Sequence, residues 1–215
     1  MAERADRRGK MVTVTVFFEG GGRSHDNKNV ETVENTSRLR ESFNKLLNQG
    51  LANENVKIQA QPAYSITNVV KIRQKNSLLL MDLDGSKTIK QQRIMDNKLI
   101  DIQDTLFFMV QEMEAWILSQ PEVIETVFSH YKTKGGLISE DEAIKGKEIE
   151  NITKPSNVLY ILLQRHFTYT KGEKVKKLKY GKLTHSPSLI ERLNIQKLCE
   201  TFEDVRLLMQ KINSY

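Results

Sequence analysis

Cysteine occurs once in this chain, at Cys199. That excludes a disulfide scaffold and any zinc cluster built on cysteine. No apolar run approaches the roughly 18 residues a membrane-spanning helix needs. The opening MAERADRRGK is charged and has no apolar h-region, so no secretory signal is expected. His25, His130, His166 and His185 show no HExxH spacing, and no GxSxG elbow accompanies the serines. There is no GxxxxGK[ST], and Gly20, Gly21 and Gly22 do not supply a spaced GxGxxG set. Zinc proteases, serine hydrolases, P-loop NTPases and dinucleotide-binding enzymes thus have no motif here. The expectation is a cytoplasmic protein without a membrane partner.

What remains is ordinary globular material: 215 residues, 39% apolar and 28% charged, enough to bury a core of one α/β domain with a modest appendage. The charge balance is 33 − 27 = +6, and it is unevenly placed. Residues 171–182, KGEKVKKLKYGK, hold six lysines and one glutamate, so +5 falls in one short stretch. A polyanionic partner, DNA or RNA, is the natural inference from such a stretch.

After the polar leader, MVTVTVFFE alternates β-branched and apolar residues and then stops at three glycines, the pattern of a strand entering a tight turn. Arg23 to Asn35 reads as a loop. Thr36 or Ser37 caps a helix whose Leu39, Phe43, Leu46 and Leu47 fall on one face, ended by Gly50. Residues 55–60 form a short strand, and Ser65 to Lys75 a helix. The run Leu78 to Met81 marks a strand buried on both faces, ending in Asp82-Leu83-Asp84-Gly85. Residues 87–100 read as helical and 105–110 as another buried strand. A helix follows from Glu112, and Pro121 starts the next one. This alternation predicts an α/β fold over residues 11–132, a mostly parallel sheet flanked by helices. Residues 133–215 are expected to be a helical C-terminal region: helices over 139–150 and 155–167, the basic stretch 171–182, then two helices between Ser186 and Ile212. The boundary falls near 132–138.

Glu19, Asp82 and Asp84 each close a predicted buried strand. In an open parallel sheet that edge binds ligands. Converging carboxylates repel one another unless a cation lies between them, and an oxygen-rich, histidine-poor setting suits Mg²⁺ (or Mn²⁺). In a regular strand the i, i+2 spacing of the two aspartates lets both face one metal. Gly20, Gly21 and Gly22 would let backbone approach a phosphate. The plainer readings are a turn signal for Asp84-Gly85 and a helix cap for Asp82.

VTVFFEGGG followed by LLLMDLDG resembles the Toprim signature, a glutamate after the first strand and D-x-D after the third. FFMVQEMEAWIL and the ending LKYGKLTHSPSLIERLNIQKLCETF resemble the bacterial domain-of-unknown-function family 4276, a Toprim-like group, with likeness from about residue 11 to 212. The resemblance implies a Toprim/Rossmann-like fold and a metal-dependent nuclease acting on phosphodiesters. In that reading Glu19 is a general acid/base or metal ligand, and Asp82 and Asp84 hold Mg²⁺. Such groups are similar to nuclease partners of ATPases in anti-phage defence, which implies an ATPase partner. Toprim nucleases often place a further acid soon after the EG pair; here Asp26 comes seven positions after Glu19.

Other residues leave two readings open. Glu112 and Glu114 add metal ligands, or are acids favoured at a helix start. Trp116 sits at core spacing with Met113 and Ile117. Lys176, Lys177, Lys179, Tyr180 and Lys182 combine cations with an aromatic as a nucleic-acid surface does, or form a solvated loop. Arg38 and Arg40 reach a phosphate or lie on a solvated helix face. Cys199 reads as a buried thiol. The alternative to a nuclease is a non-catalytic or regulated subunit that binds nucleic acid or an ATPase, with homo-oligomers allowed by either reading.

Overall fold

The alternating valines and the Phe17-Phe18 pair form β1 (Val12–Glu19), and its polar successor helix is α1 (Val30–Asn48). Strands β2 (Val56–Ala63), β3 (Ser77–Asp82) and β4 (Leu106–Met109) complete a four-stranded sheet in the order β2-β1-β3-β4. All its pairings are parallel. The computed structural model describes residues 11–19, 30–63, 74–133 and 136–215. Gly20, Gly21 and Gly22, with Asp26, lie outside the described residues, as do the leader and most of the helix expected over 65–75.

Alternation along the strands divides the sheet into two buried faces. Val14, Val16, Phe18, Leu78, Leu80 and Met109 join one cluster. Phe17, Leu79, Met81, Leu106 and Phe108 join another. The first packs on Leu39, Phe43, Leu46 and Leu47 of α1 and on the C-terminal helices, with Phe18 stacked on Phe43 at 4.3 Å. The second packs on Ile94 of α2 (Lys90–Asp96) and on Leu99 and Ile102 beyond it. Apolar strands therefore need helices on both sides, which is the α/β arrangement expected from their continuous hydrophobic runs.

Helices α3 (Glu114–Leu118), α4 (Pro121–Val127) and α5 (Pro155–His166) follow, both proline starts lying at the first helical turn. A three-stranded antiparallel sheet then runs β5-β6-β7, with β5 (Lys132–Thr133), β6 (Phe167–Lys171) and β7 (Lys174–Lys177). The chain ends in α6 (Lys182–Ile190), α7 (Ile195–Thr201) and α8 (Glu203–Asn213). The face-one cluster continues from Val14 to Ile212, so residue 132 does not separate two cores.

Three differences from the sequence reading have physical causes. Helix α1 begins at Val30, not at residue 36, because the apolar spacing that marks it in the sequence starts only at Leu39, nine residues further on. Residues 139–150 make 3-10 turns instead of a helix: the Asp141 carboxylate accepts the Ala143 N–H at 2.9 Å, and Gly146 takes φ +67°. The basic stretch forms a hairpin rather than a link between helices. Gly172 with φ +62° takes the first position of its two-residue turn, as a type II′ turn requires.

The edge strand β4 has its own capping device. Asp204 of α8 accepts the Phe108 N–H at 3.1 Å and pairs with Lys90 at 2.8 Å. A carboxylate thus covers an edge N–H that would otherwise invite another strand. At the other edge, β2 carries Pro62, which suits an edge position.

Candidate functional site

From β1 the chain goes one way to β2 and then crosses to β3 on the other side, so the direction switches between β1 and β3. Ligands of open α/β sheets bind outside the carboxyl ends of strands at such a point. Glu19 and Asp82 end the two strands that flank it.

Asp82 is 8% exposed. Its Oδ1 accepts the Met113 N–H at 2.9 Å, and its Oδ2 accepts from Lys182 Nζ at 3.3 Å. Lys182 Nζ also stands 3.7 Å from Glu114 Oε2. Glu114 is fully buried; its Oε1 accepts the Tyr180 hydroxyl at 3.0 Å, while Oε2 accepts no hydrogen bond. Two carboxylates, one ammonium and one phenol thus meet at the sheet edge, supplied by β3, α3, and the segment that enters α6. Lysine and aspartate are a hundred residues apart in the chain.

The charges are tuned by this burial. Removal from water pushes the Asp82 carboxyl up to about 7; the Glu114 charge adds to the rise, and Lys182 and the Met113 N–H only partly offset it. Burial pushes the Lys182 ammonium down, but Asp82 and Glu114 outweigh that and hold it above its ordinary value. Burial, then the Glu114 charge, raises the Tyr180 phenol well above its ordinary value, so it remains a neutral donor.

The other expected ligands go elsewhere. Strand β3 stops at Asp82, and Asp84 takes φ +56°, so the i, i+2 rule for a regular strand does not reach it. Asp84 N–H donates to the Gln111 carbonyl at 2.8 Å, Gln111 itself has φ +63°, and the Asp84 carboxylate pairs with Arg93 at 2.8 Å. Glu112 accepts the Ser156 N–H at 2.9 Å and so caps α5. Glu19 follows Phe17 and Phe18 on β1, and alternation puts it on the Phe17 side, opposite the side shared by Phe18, Leu80 and Asp82. Trp116 is buried among Phe43 and Phe202 and belongs to the core. Lys176, Lys177 and Lys179 are exposed, as are Arg38 and Arg40, whereas Cys199 is half-buried.

Among the described residues no group of three histidine, cysteine, aspartate or glutamate side chains is placed to hold a metal. Mg²⁺ needs fewer: it commonly takes one or two carboxylates, with water and substrate phosphate oxygens completing its shell. Asp82 and Glu114 fit that smaller demand. Glu114 Oε2 is a buried oxygen without a hydrogen-bond donor, and burial, with the Glu114 charge adding to it, raises the Asp82 carboxyl despite Lys182.

Sequence reasoning placed Tyr180 and Lys182 on the nucleic-acid surface and missed that they complete the carboxylate cluster. The signal was available: Leu178 is buried, and in an extended segment Tyr180 and Lys182 share its side while Lys177 and Lys179 point away.

No helix among the described residues is long and apolar enough to cross a membrane. A family model described as "Domain of unknown function (DUF4276)" matches residues 17–213. No similar curated protein and no similar solved structure was found.

Proposed function

The chain belongs to this family, whose description assigns no activity, and from that starting point we propose that it is a Mg²⁺-dependent, Toprim-like hydrolase of nucleic-acid phosphodiesters. One observation carries the reading. Lys182 Nζ stands 3.3 Å from Asp82 and 3.7 Å from Glu114 at the carboxyl edge of a parallel sheet, beside its switch point. Asp82 and Glu114 would hold the cation, which when bound supplies Lewis-acid polarisation of a phosphoryl oxygen. The Lys182 ammonium then faces a non-bridging phosphate oxygen and stabilises charge as the phosphorus is attacked. Tyr180 holds Glu114 in place through its hydroxyl. The proton of the attacking water passes to solvent, since alternation turns Glu19 of the neighbouring strand to the opposite face.

The test is cleavage of single-stranded and duplex DNA and of RNA with Mg²⁺ or Mn²⁺, then with chelator. Cleavage that needs the metal and falls at least a hundredfold in Glu114→Gln and Lys182→Ala supports the proposal. Cleavage unchanged in both variants refutes it.

A second reading has its own observation: Asp84 and Glu112 are committed to Arg93 and to the α5 N-terminus. A regulated or non-catalytic subunit would bind nucleic acid or an ATPase partner with those acids kept structural. Binding of nucleic acid or a purified candidate ATPase, without metal-dependent cleavage by the chain alone or in the complex, favours that reading.

A further inference from the structure

The β6–β7 hairpin has two unlike faces. Its register pairs Tyr169 with Lys176 and Lys171 with Lys174 on one face, and Thr168 with Lys177 and Thr170 with Val175 on the other. Three of the hairpin's four exposed lysines beside the turn therefore share a face with an aromatic ring. That face continues onto the neighbouring segment: the Tyr131 and Tyr169 rings lie 6.2 Å apart at 77°, and His130 lies 4.2 Å from Tyr131. Because Tyr131 meets Tyr169 edge to face, it does not cover the Tyr169 ring by parallel stacking, and Tyr169 remains 37% exposed.

We infer that this face, formed by His130, Tyr131, Tyr169, Lys171, Lys174 and Lys176, binds single-stranded nucleic acid. Lysines alone would suit any polyanion, but exposed rings among them select unpaired bases, whose π-faces a duplex keeps stacked. The inference deepens the hydrolase reading and rests on it for its biological use, by naming the form of substrate that is gripped. Position supports the link. Lys176 is on this face and Lys182 stands at the carboxylate cluster, so six residues of chain, at most about 22 Å, separate the near end of the grip from the site. Beneath the surface the two are joined by packed rings: Tyr131 contacts the buried Phe128 at 5.9 Å, Phe128 contacts His185 at 5.6 Å, and His185 contacts Tyr180 at 6.2 Å. Glu173 occupies the turn and adds a carboxylate at the tip, which sets the outer limit of the basic face.

The experiment measures anisotropy of a labelled twenty-nucleotide oligothymidylate with the full chain in chelator, so that cleavage plays no part. Tyr169→Ala is expected to weaken binding about fivefold to a hundredfold. Lys174→Glu with Lys176→Glu is expected to weaken it at least tenfold and to lower the slope of log affinity against log salt by about 1.4. Circular dichroism and thermal melting confirm that each variant folds, and Lys57→Glu with Lys75→Glu matches the charge change elsewhere. Wild-type affinity in Tyr169→Ala, an equal loss in the charge-matched control, or equally tight binding of a duplex of the same length overturns the inference. Selective binding without metal-dependent cleavage leaves it standing and counts against the hydrolase reading alone.

Discussion

Replacing Asp82 by asparagine separates the charge of this carboxyl from its shape. Burial raises it from 3.8 to about 7, a shift of about three pH units, and each unit is worth about 1.4 kcal/mol. The sign follows from linkage. In the unfolded chain the group ionises near pH 4, whereas the folded protein keeps it protonated until about pH 7. The stability associated with the neutral group is therefore fully present below pH 4 and is lost as pH rises to 7. The loss reaches about 4 kcal/mol and then levels off. Asparagine keeps an acceptor for the Met113 N–H but carries no titratable proton. Urea unfolding of wild type and Asp82→Asn between pH 4 and 8.5 tests this. Their difference should change by about 4 kcal/mol across that range, the variant gaining on wild type as pH rises. Parallel profiles would refute the reasoning, since they would show an Asp82 that is not held neutral. Mg²⁺ adds an independent check. If the pair binds a cation, 10 mM Mg²⁺ raises the wild-type melting temperature more at pH 8 than at pH 5.5, and the rise disappears in Asp82→Asn.

Further consequences concern the scaffold. Asp204→Ala leaves the buried Phe108 N–H without its acceptor and should cost about 1–3 kcal/mol in chemical denaturation, with Asp204→Asn recovering part of it. Trp116→Ala empties a fully buried site between Phe43 and Phe202 and should cost about 3–5 kcal/mol by the same measurement. Burial pushes the Asp141 carboxyl up, but the Ala143 N–H, His166 and Arg165 outweigh it and hold it below its ordinary value. Its contribution is therefore present above about pH 4 and lost as acid protonates it. Asp141→Asn should destabilise the protein by about 2–3 kcal/mol at pH 7, discounted for the exposed Arg165, and the penalty should shrink in acid unfolding below pH 4.

The sheet was legible in the sequence because its strands carry unambiguous apolar runs. Leu78 to Met81 and Leu106 to Met109 are buried on both faces, and no polar residue interrupts them. The switch-point position of Glu19 and Asp82 followed from that. The hairpin was not legible because Thr168, Tyr169, Val175 and their lysine neighbours show only a short alternation, and the six lysines dominated the reading. The convergence of the D-x-D pair depended on a strand continuing to Asp84, and backbone bonding between Asp84 and Gln111 ends it earlier. Nor could one-dimensional spacing show Arg93 and Ser156 taking up two of the five candidate carboxylates. These are tertiary pairings, and local pattern contains no information about them.

The same pairings change what the C-terminal part of the chain is for. A basic appendage that merely holds a polyanion could be detached from a complete acidic site. Here Lys182 supplies the counter-charge to Asp82, and Tyr180 supplies the donor to Glu114, both from beyond the hairpin. Helix α8 caps β4, and α6 packs in the same buried cluster as α1. Without Lys182 the Asp82 carboxyl would lose the ammonium that partly offsets its burial and the Glu114 charge, and would be raised further still. The cluster is therefore not separable from the segment that follows the hairpin, which supplies both its ammonium and its phenol donor.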